Sequence, residues 1–215
     1  MKTSRSRTTP ASSWGFTLLE LLVVLGVIGL LAALFLPTTG AARGAVQRAQ
    51  TQARFAQWAA AMELFRQEYG HYPAVATDGK VDPAKFAPAL MGRLNLAGDA
   101  LPPEAPEAAL AGNHRRLSFV TVSMAELTPD AGALVDAFGN SDIGVRADLN
   151  GDGRIDELDT GGGFVAGWPA VRGERGVPLT PAADALLPGG RVAARVVFYS
   201  AGRGEGSADL VLSWR

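Results

Sequence analysis

The sequence has no cysteine, and it has only two histidines among 215 residues. Without thiols, the chain can form neither a disulfide framework nor a thiolate metal site, and this holds on either side of a membrane. His71 and His114 lie near no recognisable base or metal cluster in the sequence, and a cysteine nucleophile is missing. We therefore predict that the protein is not an enzyme.

A strong charge imbalance is also missing, because 20 basic residues face 21 acidic residues, for a formal net charge of −1. Nucleic-acid-binding modules usually carry a concentrated basic face, so we expect no nucleic-acid partner. The basic residues Lys2, Arg5 and Arg7 lie in the first 15 residues, which contain no acid. Loss of that segment would leave 17 basic and 21 acidic residues, a mildly acidic chain.

Charge is nearly absent from residues 16–36, a run of 21 residues in which Glu20 is the only charged one. A helix of that length spans roughly 30 Å, the thickness of the hydrocarbon core of a bilayer. The run is longer than the apolar part of most secretory signal peptides, and no small-residue cleavage motif follows it. A plain membrane anchor fits better but leaves Glu20 unexplained, because a carboxylate in the bilayer costs several kcal/mol.

The stretch "GFTLLELLVVLGVIGLLAALFLP", residues 15–37, closely resembles the class III leader junction of type IV pilins and type II secretion pseudopilins. The resemblance implies that a prepilin peptidase cuts between Gly15 and Phe16 and methylates the new N-terminus. Glu20 would then face the terminal amine of a neighbouring subunit in a fibre, and this pairing would offset the cost of its burial. We therefore predict that Glu20 sets assembly and register.

The resemblance implies a pilin-like α+β fold, with a long N-terminal helix packed on a small antiparallel sheet. The predicted parts are a leader at 1–15, a transmembrane helix at 16–36, an amphipathic helix at 37–70 and a periplasmic head at 71–215 with an insertion at 141–190.

Apolar residues in the second half of the helix recur at spacings of 3, 4, 3 and 4, which predicts one buried face that docks on a sheet. They are Phe55, Trp58, Met62, Phe65 and Tyr69.

Local patterns predict the elements of the head. Asp82 and Pro83 predict a helix through about residue 93. Alternation predicts strands at 114–123, 191–200 and 208–214, and the glycine-rich segment between the last two predicts a hairpin. A further short helix is predicted near residue 109.

Three short motifs resemble those of the major pseudopilins. "YGHYP" at 69–73 is similar to their G-x-Y-P, "DAFGN" at 136–140 to their D-P-W-G-N, and "FYSAGRGEG" at 198–206 to their Y-S-x-G-x-D-G. Residues 141–197 separate the last two motifs, where the family has a short link.

The segment "DLNGDGRIDELD", residues 148–159, has the spacing of an EF-hand-type Ca²⁺ loop, with a glycine at position 6. Ile155 at position 8 could anchor it to the core, and the final aspartate resembles dockerin loops. The competing interpretation is a solvated Asp/Gly-rich turn. The predicted ligands are the side chains of Asp148, Asn150, Asp152, Asp156 and Asp159 and the carbonyl of Arg154.

Major pseudopilins usually bind calcium between their last two strands, but here Arg203 stands where an aspartate is expected. Only Glu205 and Asp209 remain as acids in that loop. We therefore predict that the calcium role has moved to residues 148–159.

The sequence as a whole predicts a structural subunit of a type II secretion pseudopilus, which helps to export proteins across the outer membrane. It would sit in the inner membrane as a single-pass protein with its head in the periplasm, then join the periplasmic fibre. Its partners would be other pilin-like subunits, the prepilin peptidase and the secretion assembly platform. The alternatives are a type IV pilin for adhesion, motility or DNA uptake, and a membrane-tethered calcium-dependent binding module.

Overall fold

The computed structural model describes residues 17–102, 112–173 and 175–215, without the side chains of residues 32–41. The described chain divides into two compact units, with the division between Gly44 and Ala45. The predicted leader, the junction between Gly15 and Phe16, and the helix predicted near residue 109 lie outside the described residues.

Helices and strands are both present. Helix α1 covers Leu18–Tyr69, and helix α2 covers Pro83–Phe86 and continues into a π-helical turn, Ala87–Met91. Single 3₁₀ turns occur at Met124–Glu126, Ala183–Ala185 and Ser207–Asp209. The strands are β1 (Ala76–Thr77), β2 (Lys80–Val81), β3 (Ile143–Ala147), β4 (Val171–Arg172), β5 (Pro178–Leu179), β6 (Val196–Ser200) and β7 (Val211–Leu212).

Five strands form an antiparallel sheet in the order β1-β2-β3-β6-β7, and β4 pairs with β5 separately. The central ladder joins β3 to β6, from Ile143 opposite Ser200 to Ala147 opposite Val196. The predicted α+β class is thus confirmed as a mixture of helix and antiparallel sheet.

No helix among the described residues is sufficiently long and apolar to span a membrane. The predicted transmembrane segment, 16–36, extends beyond those residues at Phe16 and at the side chains of 32–36. That part of the fold prediction is not confirmed.

The apolar stripe of α1 packs against one face of the sheet, as predicted. Phe55, Trp58, Met62 and Phe65 are fully buried in one cluster with Val145, Phe198 and other sheet residues, and Tyr69 is partly buried beside them. Ring centroids of Trp58 and Phe198 lie 5.7 Å apart. This packing fixes the second half of α1 on the head.

The opposite face of the sheet is covered too, chiefly by the segment between β3 and β6. Along β6, Phe198 packs with α1, whereas Val197 and Tyr199 pack on the other side with Trp168. The Tyr199 ring lies over Gly144, where an added Cβ would come within 2.1 Å of it. This segment is therefore a second layer of the core.

The hairpin of β6 and β7 and the helix after Asp82 are confirmed, and both are shorter than predicted. The strand predicted at 114–123 is wrong. The amides of Phe119 and Val120 both donate to the Leu90 carbonyl on the π-helical turn, so this segment packs on a helix rather than in the sheet.

Candidate functional site

Glu20 lies in the first turn of α1 and exchanges hydrogen bonds with Thr17. The Glu20 carboxylate accepts from the Thr17 amide and hydroxyl, both at 2.9 Å, while the Glu20 amide donates to the Thr17 hydroxyl at 3.2 Å. This reciprocal arrangement is a capping box, which satisfies amides that the helix itself leaves free. The signal for it, T-x-x-E at 17–20, was present in the sequence and missed.

The residues around Glu20 form an exposed apolar surface. Every side chain from 18 to 31 is exposed, including leucines, valines and an isoleucine. A continuous apolar surface of this kind usually marks an interaction or membrane surface. Among residues 18–31, which form this surface, Glu20 is the only charged residue.

Two buried aspartates organise the loop of residues 148–159. Asp148, only 1% exposed, accepts hydrogen bonds from the amides of Gly151, Asp152 and Gly153 at 2.7–3.1 Å. Asp159, fully buried, accepts from the amides of Leu149, Asn150 and Asp156 at 2.7–3.2 Å. The first and last predicted ligands therefore hold the loop closed through its own backbone.

The middle of the loop also matches the predicted pattern. Gly153 at position 6 has φ +83°, a conformation that other residues rarely adopt. Ile155 is fully buried and forms a two-way bridge with Val192, with N–O distances of 2.9 and 3.1 Å. The predicted anchoring role of Ile155 is confirmed.

The other predicted ligands stay near the surface. The side-chain oxygens of Asn150, Asp152 and Asp156 each accept the amide two residues further on, at 2.8–2.9 Å, and Arg154 is exposed. Across the described parts of the chain, no three His, Asp or Glu side chains are grouped so as to hold a metal ion. The loop has the hard oxygen donors that Ca²⁺ prefers, but they face backbone amides rather than a common centre.

Beneath the loop lies a buried cation that sequence reasoning missed. Arg146 on β3 is 1% exposed, and its guanidinium donates to the carbonyls of Gly167 and Asp156. It also lies over the Trp168 ring, 5.4 Å from the centroid. Burial lowers the pKa of Arg146, and the carboxylate of Asp159 opposes that shift.

The motif at 136–140 and the β6–β7 hairpin meet in a buried polar network. Asp136 accepts the amides of Phe138 and Asn140, the Asn140 side chain and the Ser200 hydroxyl, all at 2.8–2.9 Å. Asn140 in turn donates to the Gly202 carbonyl at 2.7 Å. Two motifs that are about sixty residues apart in the sequence thus form one structural unit.

Helix α1 is hydrogen-bonded both to the motif at 136–140 and to the β6–β7 hairpin. Thr51 accepts the Ala137 amide at 3.0 Å, and Gln47 donates to the Ala137 carbonyl at 3.1 Å. Arg48 donates to the carbonyls of residues 208, 209 and 210 at the end of the hairpin loop. A polar strip on α1 therefore binds the loops that flank the sheet.

The acids of the hairpin loop are engaged in other contacts. Glu205 forms an exposed ion pair with Arg175 at 2.8 Å, and Asp209 accepts the Glu205 amide at 3.0 Å. These contacts give both acids of the loop a partner within the protein.

No family model, no curated protein and no solved structure matches this chain.

The Asp136 network should be a principal source of stability for the head. Replacing Asp136 with Ala leaves several buried donors without an acceptor, so the free energy of unfolding should fall by at least about 3 kcal/mol. The exposed Asp130, whose contacts are with the nearby Gly132 amide and Thr128 side chain, provides the control, and Asp130→Ala should cost less than about 1 kcal/mol. Urea denaturation followed by tryptophan fluorescence measures both; equal losses would contradict a special role for Asp136.

Proposed function

We propose that this chain is a structural subunit of a type II secretion pseudopilus, a pilin-like fibre that helps to export proteins across the outer membrane. The observation that carries the proposal is the single carboxylate, Glu20, in the first turn of an otherwise apolar and exposed helix segment. This segment directly follows the Gly15–Phe16 junction, whose sequence resembles a prepilin cleavage site.

The charge on Glu20 needs a partner once its apolar surroundings are buried in a membrane or a fibre. A lone buried charge is strongly destabilising, and a positive group in contact with it removes much of that cost. Cleavage before Phe16 would create such a group on each subunit. The Thr17 capping box satisfies helix amides but brings no positive charge, so it leaves this need unmet.

The proposal assigns the partners and the location accordingly. Exposed apolar residues 18–31 would lie first in the inner membrane and then against the helices of other pilin-like subunits. The compact unit from Ala45 to Arg215, which contains the predicted head, would be periplasmic. The prepilin peptidase and the secretion assembly platform would process and recruit the chain.

We also propose that Ca²⁺ binds the loop of residues 148–159 through Asp148, Asn150, Asp152, Asp156, Asp159 and the Arg154 carbonyl. The support is the ligand spacing, the positive φ of Gly153 and the anchoring of Ile155. The exposed side chain of Asp152 and the half-buried side chain of Asp156 would have to turn toward the buried aspartates. The ion would neutralise their mutual repulsion and stiffen the loop.

Processing is the direct test of the pilin-like assignment. Protein isolated from membranes should begin at methylated Phe16, as determined by intact-mass measurement. Gly15→Ala should slow cleavage, because the peptidase requires the small glycine at this position in the family that the junction resembles. A mature chain that begins at Met1 would contradict the assignment and favour the tethered calcium-binding module.

Assembly should depend on the charge of Glu20 rather than on its capping bond. Glu20→Gln keeps a side chain that can complete the capping box. It removes a carboxylate that is costly in the bilayer, so the variant should insert at least as readily as the wild type. Fibre formation should weaken roughly a hundredfold or more. The terminal amine of the neighbouring subunit would lose its partner, and an unpaired buried charge costs about 3–5 kcal/mol. Fibre yield from cells that express the secretion system, counted by electron microscopy, measures the effect.

The matched control is Thr17→Val, which removes the capping hydroxyl and keeps the carboxylate. This change costs the helix about 1 kcal/mol, and fibres should still form. If Thr17→Val abolishes fibres while Glu20→Gln does not, the role of Glu20 is capping, and the register hypothesis fails.

Calcium should raise the melting temperature of the full chain in detergent, and Mg²⁺ should do so much less. At a hundred times the dissociation constant, a ligand that binds only the folded state adds about 2.7 kcal/mol. The double variant Asp152→Asn with Asp156→Asn removes two charges. It keeps the side-chain oxygens that accept hydrogen bonds from backbone amides in the structure. This pair should lose most of the calcium response in a thermal melt.

The corresponding control is Glu205→Gln with Asp209→Asn in the hairpin loop, which removes the same charge and should keep the response. The reverse pattern would place the ion in the hairpin loop. No melting shift at millimolar calcium in any variant would reduce residues 148–159 to an acidic turn.

A further inference from the structure

We infer that Arg146 is the built-in counter-ion of the loop of residues 148–159 and keeps that loop folded when no metal is bound. The inference concerns the regulation of the proposed calcium loop and in that respect rests on the proposed function. Its main readout, however, is the order of the loop in the absence of metal. The two ideas can therefore fail separately.

The loop carries more negative charge than its own residues can balance. It contains five acids and one basic residue, Arg154, whose side chain is exposed to solvent. Two of the acids, Asp148 and Asp159, are buried. Backbone amides solvate their carboxylates locally, but a buried negative charge also requires a positive charge nearby in a medium of low dielectric constant.

Arg146 supplies that charge from below. Its guanidinium donates to the Asp156 carbonyl inside the loop and to the Gly167 carbonyl in the segment that follows it. The carboxylates of Asp159, Asp156 and Glu157 all act on it electrostatically. Arg146 is thus hydrogen-bonded to the backbone of the loop and attracted by the carboxylates of the loop.

Hydrogen bonding alone does not account for an arginine at this position. Arg146 Nε is buried with no hydrogen-bond partner among the described residues, and such an orphaned group costs stability. An apolar side chain packed on Trp168 would avoid that cost. It would also leave the Gly167 and Asp156 carbonyls without the Arg146 donor, and it would provide no positive charge.

Among the described residues, two other cations lie near the loop, and one of them, Arg66, has a guanidinium nitrogen beside Gly151. Arg195, whose carbonyl accepts the Asp148 amide, and Arg66 both pair with Glu63, with N–O distances of 3.8 and 3.9 Å. Their side chains are partly exposed, so water screens their charge. Arg146 is buried, so water screens its charge much less.

Arg146 would then balance the negative charge of the loop in the absence of metal, and Ca²⁺ would balance it when bound. With Arg146 in place, the loop is already folded before a metal arrives. The same positive charge reduces the attraction of the loop for a second cation. Binding would therefore change the structure little and would be weaker than in a loop that lacks the arginine.

Hydrogen–deuterium exchange on the full chain in detergent with EDTA tests the inference. Arg146→Met should make the amides of Gly151, Asp152 and Gly153 exchange at least about tenfold faster, because the loop opens locally. Amides of β3 and β6 should remain protected. Arg146→Lys, which keeps the charge, should stay close to the wild type, and so should Arg195→Met, which removes an exposed cation beside the loop.

Unchanged exchange of the loop in Arg146→Met would overturn the inference, and so would exchange in Arg146→Lys as fast as in Arg146→Met. If Arg146→Met loses protection throughout the sheet, the lysine variant decides. If Arg146→Lys retains protection of the loop, the counter-ion role is supported. If Arg146→Lys loses protection in the loop while its sheet stays protected, the counter-ion role is overturned.

Calcium added to the same samples separates the two proposals. Restored loop protection in Arg146→Met, with a larger melting shift than in the wild type, supports both. If calcium changes nothing in any variant while Arg146→Met still opens the loop in EDTA, the calcium site fails and the counter-ion role stands.

Discussion

The head depends on one constraint, which is that the β3–β6 ladder is buried on both faces. Side chains of β6 alternate between α1, where Phe198 packs, and the second layer, where Val197 and Tyr199 pack. A five-residue strand pair has few hydrogen bonds of its own, so its stability comes from these two layers. Without the segment between β3 and β6, one face of the sheet would be open to water.

Parts of this arrangement could be predicted, and the reasons differ from element to element. The buried stripe of α1 could be predicted, because apolar residues at helical spacing indicate a single buried face. The hairpin was readable from its glycine-rich turn. Strand β3 was not, since "IGVRA" is buried on both faces and has no clean alternation. The segment at 114–123 alternates, but its partner is the carbonyl of Leu90 rather than a strand.

The candidate sites show the same division between local and distant signals. The loop pattern at 148–159 correctly indicated the turn at Gly153 and the anchor at Ile155, because both are local properties of the chain. The burial of Arg146 could not be predicted, because it depends on Trp168 and on the Asp156 carbonyl, which come together only when the segment between β3 and β6 is folded. A charge within a strand looks exposed until the layer above it is known.

The polar strip on α1 has a mechanical consequence. Thr51 and Gln47 bind residue 137, whereas Arg48 binds the carbonyls of residues 208–210. A force applied to the helix would be divided among several hydrogen bonds that end in two separate loops. Because those loops are cross-linked through Asp136, Asn140 and Ser200, neither can yield alone. These parts of the head would therefore carry tension together.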